Sequence, residues 1–137
     1  MIKFRYLDRF AACIFLIFIS AGTVAAPGST QTRDDHYIDG VDAAIDGNYR
    51  SAYLNWITLA KQGNARAQFN LALLYHGGLY VKFNEDQAVF WYRQAAKNGI
   101  REAQEYLAVG YREGWFGLPI DKKKADYWQH RLDLAGN

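Results

Sequence analysis

The sequence predicts an all-α fold, a solenoid of helix-turn-helix repeats with about two and a half repeats and six helices. The first observation is a period in the mid-thirties. Ala67, Gln68, Leu71, Ala72, Tyr75 and Gly78 recur 36 residues later as Ala103, Gln104, Leu107, Ala108, Tyr111 and Gly114. Val81, Asn84, Ala88, Trp91 and Gly99 recur 37 residues later as Leu118, Asp121, Ala125, Trp128 and Gly136. The one-residue change falls in a loop, where insertions are easily accommodated, and a period of this length marks helical-hairpin arrays. The second observation is that glycines stand where apolar helical patterns stop, at Gly47, Gly63, Gly77-Gly78, Gly99, Gly114 and Gly136. The third is that no segment alternates apolar and polar residues long enough to make paired strands.

Taken in order, the chain opens with an address. Residues 1–9 carry Lys3, Arg5 and Arg9, Phe10 to Ile19 is an unbroken apolar run, and Ser20 to Ala26 is rich in small residues. That order describes a secretory signal peptide over residues 1–25, with cleavage after Ala25. Cys13 lies inside the apolar run and leaves with it, so the mature chain has no thiol to oxidise or to bind metal. Export is therefore expected, to the periplasm or outside the cell. Residues 26–34 read as a flexible leader, because Pro27 to Arg33 lacks apolar residues.

Residues 35–63 read as an N-terminal helix pair. Tyr37, Val41 and Ile45 share one side of the first helix, which is acidic through Asp34, Asp35, Asp39, Asp42 and Asp46. After Gly47-Asn48, a helix from Tyr49 to Gln62 buries Ala52, Trp56, Leu59 and Ala60. Residues 64–99 form the first full repeat. Asn64 caps a helix with Ala67, Leu71, Leu74 and Tyr75 on one face, and Asn84 caps a second that buries Ala88, Trp91, Tyr92, Ala95 and Ala96. Residues 100–137 form the second, closed by a terminal helix that Asp121 caps and that buries Ala125, Trp128 and Leu132. Alanines on facing helices permit close approach, and the aromatics fill the grooves between them.

Composition narrows the function classes. Of 137 residues half are apolar and 16% aromatic, which excludes a disordered chain. The formal charge of +2 comes from the N-terminus. Without residues 1–25 there are thirteen basic and thirteen acidic residues, so nothing favours nucleic acid or an acidic membrane. His36, His76 and His130 lie in different hairpins, without the ligand spacing of a metal site. Glu102 and Glu105 read as a solvated pair, and there is no nucleophile elbow, phosphate loop or dinucleotide fingerprint. No cofactor, metal or catalytic residue is expected.

The repeat positions resemble the Sel1-like repeat family, a relative of the tetratricopeptide repeats. Ala65, Ala67, Gln68, Leu71, Tyr75, Gly78, Ala88, Trp91, Ala95, Ala96 and Gly99 match its pattern once, and Ala103, Gln104, Leu107, Tyr111, Gly114, Gly117, Leu118, Pro119, Asp121, Ala125, Trp128 and Gly136 match it again. Tyr80 stands where the family has a loop glycine, and Leu132-Asp133 where it has Ala-Ala. The resemblance implies a right-handed solenoid that works as an adaptor or scaffold, binding another protein on its concave face as a monomer. It leaves open an immunity protein that blocks a secreted toxin. A cell-wall-related enzyme is disfavoured, since this chain lacks the cysteines of such relatives.

A concave face would be lined by the first helix of each hairpin. The positions there that the repeat core does not use make Arg66, Asn70, Leu73, His76, Glu105, Tyr106 and Arg112 the partner-binding candidates, with Phe69, Glu102 and Val109 beside them. Trp115 and Phe116, in the longer loop, are candidates on one of two readings: an exposed apolar patch, or a pair folded back on the helix ends.

Overall fold

Most helix starts follow from a local signal. In the computed structural model, which describes residues 31–135, there are six helices: α1 Gln31–Ile45, α2 Tyr49–Lys61, α3 Ala65–Gly77, α4 Glu85–Lys97, α5 Arg101–Glu113 and α6 Lys122–Ala135. No strand occurs among the described residues. Asn48, Asn64, Asn84 and Asp121 each accept the backbone N–H three residues on, at 3.2, 2.9, 2.9 and 3.1 Å. Each thereby satisfies a donor that a helix start leaves unpaired. Ile100 precedes α5 without a side-chain cap. The ends of α2 and α4 repeat one turn, in which Asn64 N donates to Leu59 O and Ile100 N to Ala95 O, both at 3.0 Å.

The residues from Thr32 onward form one compact unit in which α2 to α6 each pack on the next helix in sequence. The buried sides of α2 and α6 are those the periodicity predicts, Ala52, Trp56, Leu59 and Ala60, then Ala125, Trp128 and Leu132. The hairpins are joined by a polar bond that recurs with the repeat. Gln68 Nε2 donates to Ala60 O at 3.1 Å and Gln104 Nε2 to Ala96 O at 2.9 Å. Each glutamine thus satisfies a carbonyl near the end of the preceding helix from a buried position. The loops close by a repeated bond as well, Asn84 N to Tyr75 O at 3.1 Å and Asp121 N to Tyr111 O at 2.8 Å.

Three expectations need correction or fall outside this description. The signal peptide lies outside the described residues, as do residues 26–30 of the expected leader. The rest of that leader is helical, because α1 begins at Gln31. A polar first turn leaves no apolar period to read, although Asp34 near the helix start suits its dipole. Ile45 is 57% exposed rather than buried. Steps of four residues drift about 40° each around a helix, so the side that packs is Tyr37, Gly40 and Val41. Trp56 lies flat against Gly40, where a Cβ would sit 2.3 Å from its Nε1, and that nitrogen donates to Tyr37 O at 3.3 Å. No helix among the described residues is long and apolar enough to cross a membrane.

Candidate functional site

The first helices of the two full repeats, α3 and α5, carry the expected surface, and the structure divides it in two. Arg66, Glu105 and Arg112 are exposed. Glu105 pairs with Arg101 one turn back at 3.4 Å, and Arg112 Nη2 donates to Gln129 Oε1 of α6 at 3.3 Å. Leu73, His76, Trp115 and Phe116 are half-buried. Asn70 and Tyr106 are buried, at 5% and 2% exposure, and so is Phe69 at 7%.

The burial of Asn70 and Tyr106 overturns the expectation that they present free surface. Asn70 Nδ2 donates to the Tyr37 hydroxyl at 3.3 Å and so fastens α1 to α3. Tyr106, its counterpart one repeat later, is the middle ring of a stack. Its centroid lies 3.9 Å from Tyr92 of α4 and 4.0 Å from Phe116 of the second loop, with interplanar angles of 26° and 21°. Its hydroxyl is hydrogen-bonded to His76 Nδ1 at 3.1 Å. The His76 ring meets Phe116 edge-on at 5.3 Å and Tyr92 at 6.2 Å, and Phe69 meets Tyr92 at 5.6 Å. The cluster therefore ties α3, α4, α5 and the second loop together.

The second loop can do this because of a departure in the helix before it. Gly110 stands in α5 where Leu74 stands in α3, and a Cβ on it would come within 2.8 Å of Leu118 and 3.3 Å of Phe116. The missing side chain makes room for the loop to lie on the helix. Phe116 itself takes a left-handed backbone, φ +59, as Tyr80 does in the first loop at φ +64. Tyr80 thus pays the strain of a glycine-type position, as its replacement of the family glycine implies. For Phe116, stacking worth about 0.5–1.5 kcal/mol opposes a backbone cost on the order of 1–3 kcal/mol. Of the two readings of this loop, folding back onto the helices describes Phe116. Trp115 meets it edge-on at 6.1 Å.

The electrostatics make this cluster a neutral, rigid one. Burial drives the Tyr106 hydroxyl far above its ordinary pKa, and the neighbouring Tyr92 and the Glu85 carboxylate add to the effect. Burial does the same to Tyr92, whose oxygen has no hydrogen-bond partner among the described residues. Burial lowers the His76 pKa and Glu85 partly opposes it, so the ring is neutral at neutral pH. Phenols moved away from ionisation stay protonated at neutral pH and are poor proton donors. The described residues contain no group of three or more His, Cys, Asp or Glu able to hold a metal ion. The arrangement offers a braced surface with charged side chains around it.

The repeat pattern showed the positions of this site but not its aromatic stack. A usable signal was Tyr106 in place of Asn70 together with the aromatic Phe116 in the one-residue-longer loop, both large groups entering one end of the array.

Comparison with known proteins agrees with the geometry. The Sel1 repeat model matches residues 65–100 and 101–128. Over 76 residues the chain is 33% identical to chitin synthase regulatory factor 4 of Schizosaccharomyces pombe, covering 55% of this chain and 12% of that protein. A solved Sel1 repeat protein from Oxalobacter formigenes is 32% identical, with a TM-score of 0.57 over 61% of this chain and 62% of the other. A protective antigen present in uropathogenic Escherichia coli strains, which displays an SLR fold, is 27% identical with a TM-score of 0.67 over 80% of this chain and 24% of its own. The chain thus spans a small part of the regulatory factor and of the antigen. Its repeat boundaries, its recurring glutamine bond and these likenesses agree: residues 65–128 match the Sel1 repeat twice, and the fold they build is the helical solenoid of the Sel1 repeat structures it resembles.

Proposed function

We propose that the protein is an exported protein–protein interaction module, an adaptor or scaffold that works in the periplasm or outside the cell. Sel1 repeat proteins generally mediate protein–protein interaction, and the family is typically a non-catalytic scaffold. The observation that carries the reading is the braced face of α3 and α5. Arg66, Glu102, Glu105 and Arg112 stand exposed there around half-buried Leu73, His76, Val109 and Trp115. Charged and apolar groups carried on packed helices suit a partner surface, because little backbone freedom remains to be lost on binding. Export rests on the charged, apolar and small-residue order of residues 1–25.

Affinity capture from exported fractions, with the tagged full chain expressed in its source organism, tests both parts. A stoichiometric partner should be retained by wild type and weakened about tenfold or more by Arg66→Ala or Arg112→Ala, with melting temperature unchanged. Equal capture by wild type and both variants would remove this face from the interaction. N-terminal sequencing should begin at Ala26. A cytosolic protein beginning at Met1 would remove export.

A further inference from the structure

The opposite helices of the hairpins carry a second surface, and it repeats. Leu54 in α2, Phe90 in α4 and Tyr127 in α6 are spaced by 36 and 37 residues and are 53%, 46% and 52% exposed. Each sits at the same place in its helix, so the three recur on one side of the array. Phe90 and Tyr127 keep the same edge-on contact to the neighbouring buried tryptophans, at 4.9 and 5.0 Å. Scattered exposed apolar residues are ordinary, whereas an apolar residue returned to solvent in every hairpin is a surface. Around it the helices are basic. Arg50, Lys61, Arg93, Lys97, Lys122, Lys123 and Lys124 are exposed, with Arg131 half-buried, against exposed Glu85, Asp86, Asp126 and Asp133.

The complement to this face is on the same chain. The outer side of α1 exposes Ile38 and Ile45, at 52% and 57%, seven residues apart and therefore on one stripe. Asp34, Asp35, Asp39 and Asp42, with Asp46 just past the helix end, surround that stripe; Arg33, His36 and Tyr37 are the other charged or titratable groups of the helix, and His36 faces Asp39 at 3.9 Å. We propose that α1 of one copy docks on the Leu54–Phe90–Tyr127 face of a second copy. The isoleucines meet the apolar row and the aspartates meet its basic flanks. An acidic helix with an apolar stripe is the shape a helix-on-face contact needs, and unlike charges on the two sides fix which faces meet. This contact is independent of the partner proposed for α3 and α5.

Sedimentation velocity on the protein as exported tests it. Wild type should be monomeric when dilute and shift to a dimer or larger species between ~5 and ~200 µM, a range set by a modest affinity. The shift should weaken at least tenfold between about 50 mM and 500 mM salt, because the flanking charges are exposed. Phe90→Ser should abolish it, and an unchanged melting temperature should show that the fold survives. Asp35→Lys with Asp42→Lys should also abolish it, as should Lys61→Glu with Lys97→Glu. Mixing those two charge-reversed proteins should restore a complex, since each then offers the face the other lacks. A wild type that stays monomeric at the top concentration overturns the proposal. So does association that survives both reversals, a mixture that fails to pair, or a monomer that instead binds vesicles containing phosphatidylglycerol through Phe90.

Discussion

Asn98→Ala is expected to loosen the joint between hairpins by a predictable amount. Asn98 Nδ2 donates to Gln68 Oε1 at 2.8 Å, while Gln68 Nε2 donates to Ala60 O at 3.1 Å. Gln68 is only 4% exposed. Without Asn98 its amide oxygen keeps its burial and loses its donor. Leaving a buried acceptor unsatisfied costs about 1–3 kcal/mol. Asn98 is exposed, so water can reach from that side, and the expected loss is in the lower half, about 1–2 kcal/mol. The second repeat is an internal control. Gln104 makes the same bond to Ala96, but its Oε1 has no partner, and the position in register with Asn98 is Ala135. Ala135→Asn should therefore recover up to about 1 kcal/mol. Urea unfolding with an unchanged slope measures both. In a Gln68→Leu background the acceptor is gone, and Asn98→Ala should cost less than about 0.5 kcal/mol. An equal cost in both backgrounds would refute the bond as the cause.

Tyr106→Ala should cost about 3–5 kcal/mol by emptying the middle of the stack, whereas Tyr106→Phe keeps the stack, loses the His76 bond and should cost about 0.5–1.5 kcal/mol; chemical denaturation separates them. Burial lowers the His76 pKa, so protonation favours the unfolded chain: its contribution is intact above the ordinary histidine value of 6.5 and is lost as pH falls through and below it. His76→Gln should flatten that part of a stability profile between about pH 7 and pH 5. Tyr80→Gly should stabilise by up to about 1 kcal/mol by relieving a left-handed backbone at an exposed residue, while Phe116→Gly should destabilise, because it forfeits the stack. Thermal melts of the two variants should move in opposite directions.

Much of the fold was legible because the repeat states each helix more than once. Caps at Asn64, Asn84 and Asp121, stops at Gly63 and Gly99, and the buried alanines and tryptophans all recur in phase, so one signal checks another. What was not legible lies where the repeats differ or where no period exists. Arg33 and Asp34 in the first turn of α1 are exposed, and the polar residues of that turn look the same in a leader as in a helix. Asn70 and Tyr106 were placed on the surface by register alone. Register gives a direction from the helix axis, and it says nothing of what a neighbouring loop brings to cover that direction. The loop that covers Tyr106 is the one with the inserted residue.

The differences between the two full repeats are coupled. Replacing Leu74 by Gly110 opens α5, and the opened space admits Leu118 and Phe116. Phe116 accepts a left-handed backbone and stacks on Tyr106, which stands where the first repeat has Asn70. Asn70 in its turn is occupied with Tyr37 of α1. One repeat position thus serves two ends of the array by different chemistry: an amide that anchors the first helix, and a phenol that anchors the last loop. The hairpin joints keep their glutamine bond through these changes, because each hairpin needs its neighbour to bury its apolar side. The shared glutamine bond persists while the surroundings vary, most visibly at the end of α5 and the loop that follows it. A change there alters the presented surface without unmaking the array, which is why the exposed Arg66 and Arg112 are the positions where binding and stability should separate most cleanly.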